Sequence, residues 1–272
     1  MSLRQAANAA SDKPPENEAL AKDSGPQLKT GWVGAETTQT CSQCAVHVQP
    51  GFDWRAADAY LFDIDGTLLN SRDAVHYFAF HRAIEKVFGL DFRIDGVPVH
   101  GNTDVGILRA YLELANVPEK QWRPRLHEVL DLMASDVERS ASDLRPELCP
   151  AVGRLIEDLL SQQKLLGVAS GNLERVGWAK LRASGLRDYF SFGAFSGELE
   201  KRDDIIAHGI AQARGLRGNH ALVYVVGDTP ADIHSARRNG VAAIAVATGI
   251  YGVEELLQHG PEMCISCFRD VL

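Results

Sequence analysis

The 272-residue chain carries 36 acidic and 28 basic side chains, a formal charge of −8, and is 45% hydrophobic. That balance belongs to a folded globular protein rather than a disordered or fibrous one, and the acidic excess argues against wholesale attraction to nucleic acid or an anionic membrane surface. No apolar stretch approaches the roughly 20 residues that span a bilayer, and five cysteines make no disulfide framework at this length, so a cytoplasmic location is expected.

Residues 1–50, rich in Ala, Ser, Pro, Gln, Lys and Glu without a period of two or of 3.6, are expected to form a flexible arm. The character then changes. Ala59-Tyr60-Leu61-Phe62 is a short apolar run that stops at Asp63-Ile64-Asp65-Gly66-Thr67, the pattern of a buried strand meeting a polar turn. Residues 71–145 read as helices: Val75, Phe78, Ala79, Ala83, Val87 and Phe88 recur at three and four. Thr103-Asp104 is placed to cap a helix carrying Ile107, Leu108, Tyr111 and Leu112, and Leu126, Val129, Leu130 and Met133 mark another. Beyond Pro150 strands and helices alternate, with strands expected at 165–169, near 190–194, at 222–226 and at 243–247. That alternation indicates a parallel sheet with both faces covered. The expected fold is α/β, a Rossmann-like parallel core of residues 51–70 and 146–272, with a small all-helical cap of residues 71–145 inserted after the first strand.

In such sheets the ligand site lies beyond the carboxyl ends of the strands. Four polar stretches fall there: Asp63 and Asp65; Ser170-Gly171-Asn172; Lys201-Arg202; and Gly227-Asp228-Thr229-Pro230-Ala231-Asp232. Converging Asp63, Asp65, Asp228 and Asp232 would crowd up to four negative charges into one crevice, which requires a cation or protonated carboxyls. A divalent metal is the economical answer, and an all-oxygen donor set suits Mg²⁺. Of the two basic residues, Arg202 is favoured over Lys201. With Ile205 and Ile206 buried by a short helix, Arg202 would sit at the helix start facing the crevice.

These four stretches, in this order over residues 57–272, resemble the motifs of the haloacid dehalogenase superfamily. Ser170-Gly171-Asn172-Leu173-Glu174 and Arg202-Asp203-Asp204-Ile205 look most like its phosphoglycolate-phosphatase-like branch. The resemblance implies a Mg²⁺-dependent phosphatase acting on a small phosphorylated metabolite. Asp63 would be the nucleophile that forms an aspartyl phosphate, and Asp65 the acid and base whose backbone carbonyl also helps ligate the metal. Asp65 would need a pKa raised above its free value of about 3.9. Ser170, Gly171, Asn172 and the N–H groups of the following helix start would hold phosphate oxygens, with Arg202 stabilising the transferring group. Asp63, Asp65 and Asp228 would ligate Mg²⁺, and Asp232 would support them from behind. A phosphomutase of the β-phosphoglucomutase kind would share this core, and a catalytically silent phosphate-binding protein is the rival from another class. A Schiff-base phosphonate hydrolase is disfavoured because the cap lysines, Lys86 and Lys120, match no pattern for it.

Other features carry plainer readings. Gly101-Asn102-Thr103-Asp104 either faces an anion or simply caps a helix. His76, His81 and Arg82 are assigned to a solvated helix face. Cys41/Cys44 and Cys264/Cys267 form two CxxC pairs, but their long separation and the alternation of side chains along a strand argue against a shared zinc site.

Overall fold

The computed structural model describes residues 45–272. Its main sheet has seven strands in the order β1-β9-β8-β7-β2-β5-β6: β1 (Val46–Val48), β9 (Met263–Ile265), β8 (Ala242–Val246), β7 (Val223–Gly227), β2 (Ala59–Phe62), β5 (Leu165–Leu173) and β6 (Phe192–Ser196). All pairings are parallel except that of the edge strand β1 with β9. β2 is hydrogen-bonded on both sides, Ala59 to Phe62 lying opposite Leu165 to Val168 and opposite Val223 to Val226. Its four residues are all buried.

Alternation along β2 builds two cores at once. Tyr60 and Phe62 enter one apolar cluster with Leu155, Leu159 and Phe268, beneath α5 (Val152–Ser161). Ala59 and Leu61 enter the other with Ile205, Ile206 and Ile233, beneath α7 (Arg202–Arg217) and α8 (Pro230–Arg238). The polar residue that follows β2, Asp63, is thereby fixed at the middle of the sheet's carboxyl edge.

The helices α1 (Val75–Phe88), α2 (Asp104–Leu114), α3 (Glu119–Trp122) and α4 (Leu126–Arg139) come between β3 (Leu69–Ser71) and β4 (Pro146–Leu148). These two short strands pair antiparallel as a separate ribbon, Leu69 opposite Leu148. The chain therefore leaves and re-enters the sheet layer side by side. The helices share a third apolar cluster with Leu173, Val176 and Ala179 at the start of α6 (Glu174–Ala183). In α1 the buried stripe runs through Val75, Ala79, Phe80, Ala83, Ile84 and Val87, whereas Phe78 is 48% exposed. The expected stripe had taken Phe78 and missed Phe80 and Ile84, because two apolar phases overlap in this helix.

Two further expectations are corrected. Val46–Val48 falls inside the supposed arm of residues 1–50, yet β1 pairs with β9 in register, and the N–H of Gln49 donates to the Glu262 carbonyl at 2.9 Å. Three residues are too short to show a period in sequence. The rest of the supposed arm, including Cys41 and Cys44, lies outside the described residues, while Cys264 and Cys267 are buried at 0% and 1% exposure. The strand expected at 165–169 continues to Leu173 through an irregularity after Ser170, its far end pairing Leu173 with Ser196.

Phe62 ties the central strand to its surroundings. It is fully buried, its ring meeting Phe190 and Phe268 edge-on at centroid separations of 6.1 and 6.4 Å. Phe62→Ala should lower stability by about 3–5 kcal/mol in urea unfolding; a loss under about 1 kcal/mol would mean the site's platform is set elsewhere.

Candidate active site

The carboxyl ends of β2, β5 and β7 open on a crevice of about 290 Å³ lined by Asp63, Asp65, Ser170, Gly171, Asn172, Lys180 and Asp228 from the sheet layer, and by His76, Val99, His100, Gly101, Asp104 and Ile107 from the helical insertion. The acidic residues come from adjacent strands. Asp63 follows β2 and Asp228 follows β7, so the pairing of those strands places the two side by side. Asp232 follows in the first turn of α8. Oxygens of Asp63, Asp228 and Asp232 lie within 4.8 Å of one another.

Close approach at Asp228 depends on glycine. Gly66, at φ +83°, turns the chain after Asp65 so that its α-carbon faces the Asp228 carboxylate, leaving no room for a β-carbon. The Thr67 hydroxyl donates to Asp228 Oδ1 at 3.1 Å. Burial, reinforced by repulsion from Asp63 and Asp232, nevertheless pushes the Asp228 pKa up to about 8. Asp63 is raised to about 6, chiefly by burial and then by Asp232 and Asp65, against the opposing pull of Arg202. Negative charge in the crevice is under-compensated.

Arg202 is the principal internal compensation. Its side chain, 9% exposed, sits 3.0 Å from Asp63 Oδ1 and contacts Asp232 through two nitrogens. Burial works against its charge, but Asp232 and Asp63 outweigh that cost and hold the guanidinium protonated. Arg202 is the first residue of α7, and burial of Ile205 and Ile206 one turn on fixes its direction. Lys201 is exposed. Asp232 also accepts from the backbone N–H of Thr229 at 3.2 Å and from its hydroxyl at 2.7 Å, which closes the capping box of α8.

Asp65 differs from expectation. Its side chain remains 41% exposed to the crevice and is gripped by Lys180, whose Nζ lies 2.7 and 2.9 Å from the two carboxylate oxygens, and by the Asn172 amide at 2.7 Å. Burial pushes its pKa upward, but Lys180 and Asn172 prevail and hold the carboxyl below its ordinary value. The raised pKa expected for an acid at this position is thus not found, because a cation reaches it first. Lys180, 3% exposed, was missed. The signal lay in its position among Val176, Gly177, Ala179 and Leu181 on the buried face of α6, where a lysine without a partner would be costly.

The phosphate-holding expectation is also narrowed. Asn172 donates to Asp65 and to Ser170 Oγ (2.9 Å). The N–H of Leu173, at the start of α6, already donates to Asp104 Oδ2 of the insertion at 2.7 Å. Ser170 and Gly171 remain among the residues lining the crevice. Gly171 abuts the backbone of Asn102 and Thr103 so closely that any side chain would collide. Of the Gly101–Asp104 stretch, Thr103 caps α2 by accepting from the Gly106 N–H at 2.9 Å, and its hydroxyl donates to the Glu200 carbonyl at 2.7 Å. The stretch thus caps the helix, and its Gly101 and Asp104 line the crevice. His81 pairs with Asp91 and Arg82 with Asp136, on a solvated face, but His76 lines the crevice with Nε2 3.3 Å from Asp104.

Removing the Arg202 charge would strand two buried carboxylates. Arg202→Met should cost about 3–5 kcal/mol in denaturant unfolding without divalent metal, whereas Lys201→Met should stay within about 0.5 kcal/mol. Equal losses would remove Arg202 from its central place.

A sequence profile described as haloacid dehalogenase-like hydrolase matches residues 60–246. A phosphoglycolate phosphatase from Synechococcus elongatus is 29% identical over 218 residues, covering 79% of this chain and 95% of that protein. Among solved structures, a β-phosphoglucomutase from Clostridium difficile superposes with a TM-score of 0.56 at 19% identity, covering 79% of this chain and 93% of that one. CbbY from Rhodobacter sphaeroides, in complex with phosphate, superposes at 0.51 and 18% identity, covering 75% and 96%. At those identities the structural likeness speaks for the fold alone. Among the described residues no helix is long and apolar enough to cross a membrane.

Proposed function

Because this chain belongs to the haloacid dehalogenase-like hydrolases and is a phosphatase among them, we propose that it hydrolyses a small phosphate monoester with the help of Mg²⁺, through an aspartyl phosphate on Asp63. The observation that carries this reading is the convergence of Asp63, Asp228 and Asp232 within 4.8 Å at the carboxyl edge of the sheet, with one buried guanidinium among them.

The fit to a divalent cation rests on the charge balance. Carboxyls driven up to about 6 and about 8 by burial and mutual repulsion are short of positive charge, and the donors on offer are oxygens, the preference of Mg²⁺. Asp63, Asp228 and the backbone carbonyl of Asp65 would hold the ion, with Asp232 fixed behind them by Arg202 and Thr229. When bound, Mg²⁺ supplies charge that lets a phosphate dianion enter and polarises its oxygens.

Asp63 attacks phosphorus, the ester P–O bond breaks, and the alkoxide departs. Water then attacks the same phosphorus, its proton passes to Asp65, and inorganic phosphate leaves with Asp63 restored. Asp63 reacts as the carboxylate. Arg202, 3.0 Å from Oδ1, fixes its direction. Ser170 and the Gly171 N–H hold non-bridging oxygens. Asp65, ionised beside Lys180, is ready as the base of the second displacement. Its acid role in the first falls to the protonated minority, so activated aryl esters, which leave without a proton, should be cleaved faster than alkyl ones.

Hydrolysis of an aryl phosphate should disappear in EDTA and return with added Mg²⁺; full activity in chelator would overturn the metal role. Acid-quenched protein incubated with an activated aryl phosphate should carry a phosphate on Asp63 in Asp65→Asn, detected by mass spectrometry, and none in Asp63→Asn. Undiminished turnover by Asp63→Asn would defeat the mechanism.

A further inference from the structure

Beyond the catalytic crevice the helical insertion forms a second recess, open to solvent on one side and of about 180 Å³, lined by His76, Tyr77, Phe80, Phe92, Ile94, Val99 and Ile107. Three of these, His76, Val99 and Ile107, also line the crevice, so these side chains form a neck that borders both spaces. The recess wall is preformed. Phe80 and Phe92 are stacked at 5.5 Å between centroids, Tyr77 meets Phe92 at 5.7 Å, and Tyr111 buttresses Phe92 from behind at 4.8 Å. Phe80 and Phe92 are 4% and 2% exposed. A cavity of roughly 150 Å³ lined by apolar side chains holds a benzene-sized group.

The charges around the neck speak against an acidic leaving group. Among the described residues Lys180 is the only lysine or arginine lining the crevice, and it is committed to Asp65 and Asn172. His76 faces Asp104. A second carboxylate on the substrate, in addition to its phosphate, would meet Asp104, aromatic faces and the imidazoles of His76 and His100, with no uncommitted lysine or arginine among the described residues lining the crevice.

We propose, resting on the phosphatase reading above, that the substrate is a monophosphate of a neutral alcohol bearing an aromatic or branched apolar group about the size of a phenyl ring, with that group seated between α1, α2 and the segment 92–99. The phosphate lies at Asp63 and the carbon chain passes the neck formed by His76, Val99 and Ile107.

The test compares 2-phenylethyl phosphate, ethyl phosphate and 2-phosphoglycolate with the full chain and Mg²⁺, alongside a small aryl phosphate. The first two release alcohols of similar basicity, so their ratio reports on seating rather than on bond cleavage. The kcat/KM for 2-phenylethyl phosphate should exceed that for ethyl phosphate by about tenfold or more and exceed that for 2-phosphoglycolate as well. In Ile94→Asp, which charges the recess at a position 43% exposed and so spares the cores, the phenylethyl-to-ethyl ratio should fall by about fivefold or more. A preference for 2-phosphoglycolate, equal use of the two alkyl esters, or a ratio unmoved by Ile94→Asp would overturn the substrate class while leaving the phosphatase reading intact. So would turnover of the aryl phosphate without any of 2-phenylethyl phosphate. Hydrolysis of none of the four would overturn both.

Discussion

Like charges brought together by a parallel sheet are the constraint around which this molecule is arranged. β2 and β7 run the same way and pair residue for residue, so the acidic groups following them must emerge together, in a place the flanking helices keep dry. Electrostatics alone would drive them apart. Arg202 opposes this by lying between Asp63 and Asp232, and its own burial is tolerable because both neighbours are anions. The remaining deficit appears in the elevated Asp63 and Asp228 carboxyls. A site so poised has affinity for cations built into its backbone topology, before any particular side-chain refinement.

The second carboxylate of the first motif obeys a different logic. Asp65 lies two residues beyond Asp63, just before the turn at Gly66, and its partners come from β5 and α6 rather than from β7. Lys180 and Asn172 grip its carboxylate and keep it ionised. Two aspartates that look equivalent in the sequence thus have opposite pKa shifts: burial raises Asp63, whereas Lys180 and Asn172, each more than a hundred positions away, lower Asp65.

That separation explains what was legible beforehand. The order of strands and helices beyond Pro150 was readable because each strand is an apolar run closed by a polar stop, and Arg202 could be chosen over Lys201 because Ile205 and Ile206 define a helix face. The polar stops located the carboxylates, since a strand's end is a local feature. Contacts between distant segments left weaker traces. Lys180 showed only as a charge on an apolar stripe, and the capture of the Leu173 N–H by Asp104 links segments whose proximity no pattern within either one encodes. His76 was assigned to solvent for the same reason: the helix it rides on has a solvated face carrying His81 and Arg82, but His76 itself lines the crevice. β1, three residues long, takes its shape from β9 rather than from its own composition.

The paired strands β3 and β4 give the helical insertion an unusual independence of size. Because the outgoing and returning chains are hydrogen-bonded neighbours, their separation is set by the ladder at about 4.8 Å whatever lies between them. Ring closure for the inserted segment is settled by those few backbone bonds, and each doubling of its length adds only about 0.6 kcal/mol of entropy cost. The lineage can therefore lengthen, shorten or replace the segment that meets the substrate's carbon skeleton while the strands presenting the reactive carboxylates keep their register, so that selectivity and chemistry are free to evolve at different rates on one chain.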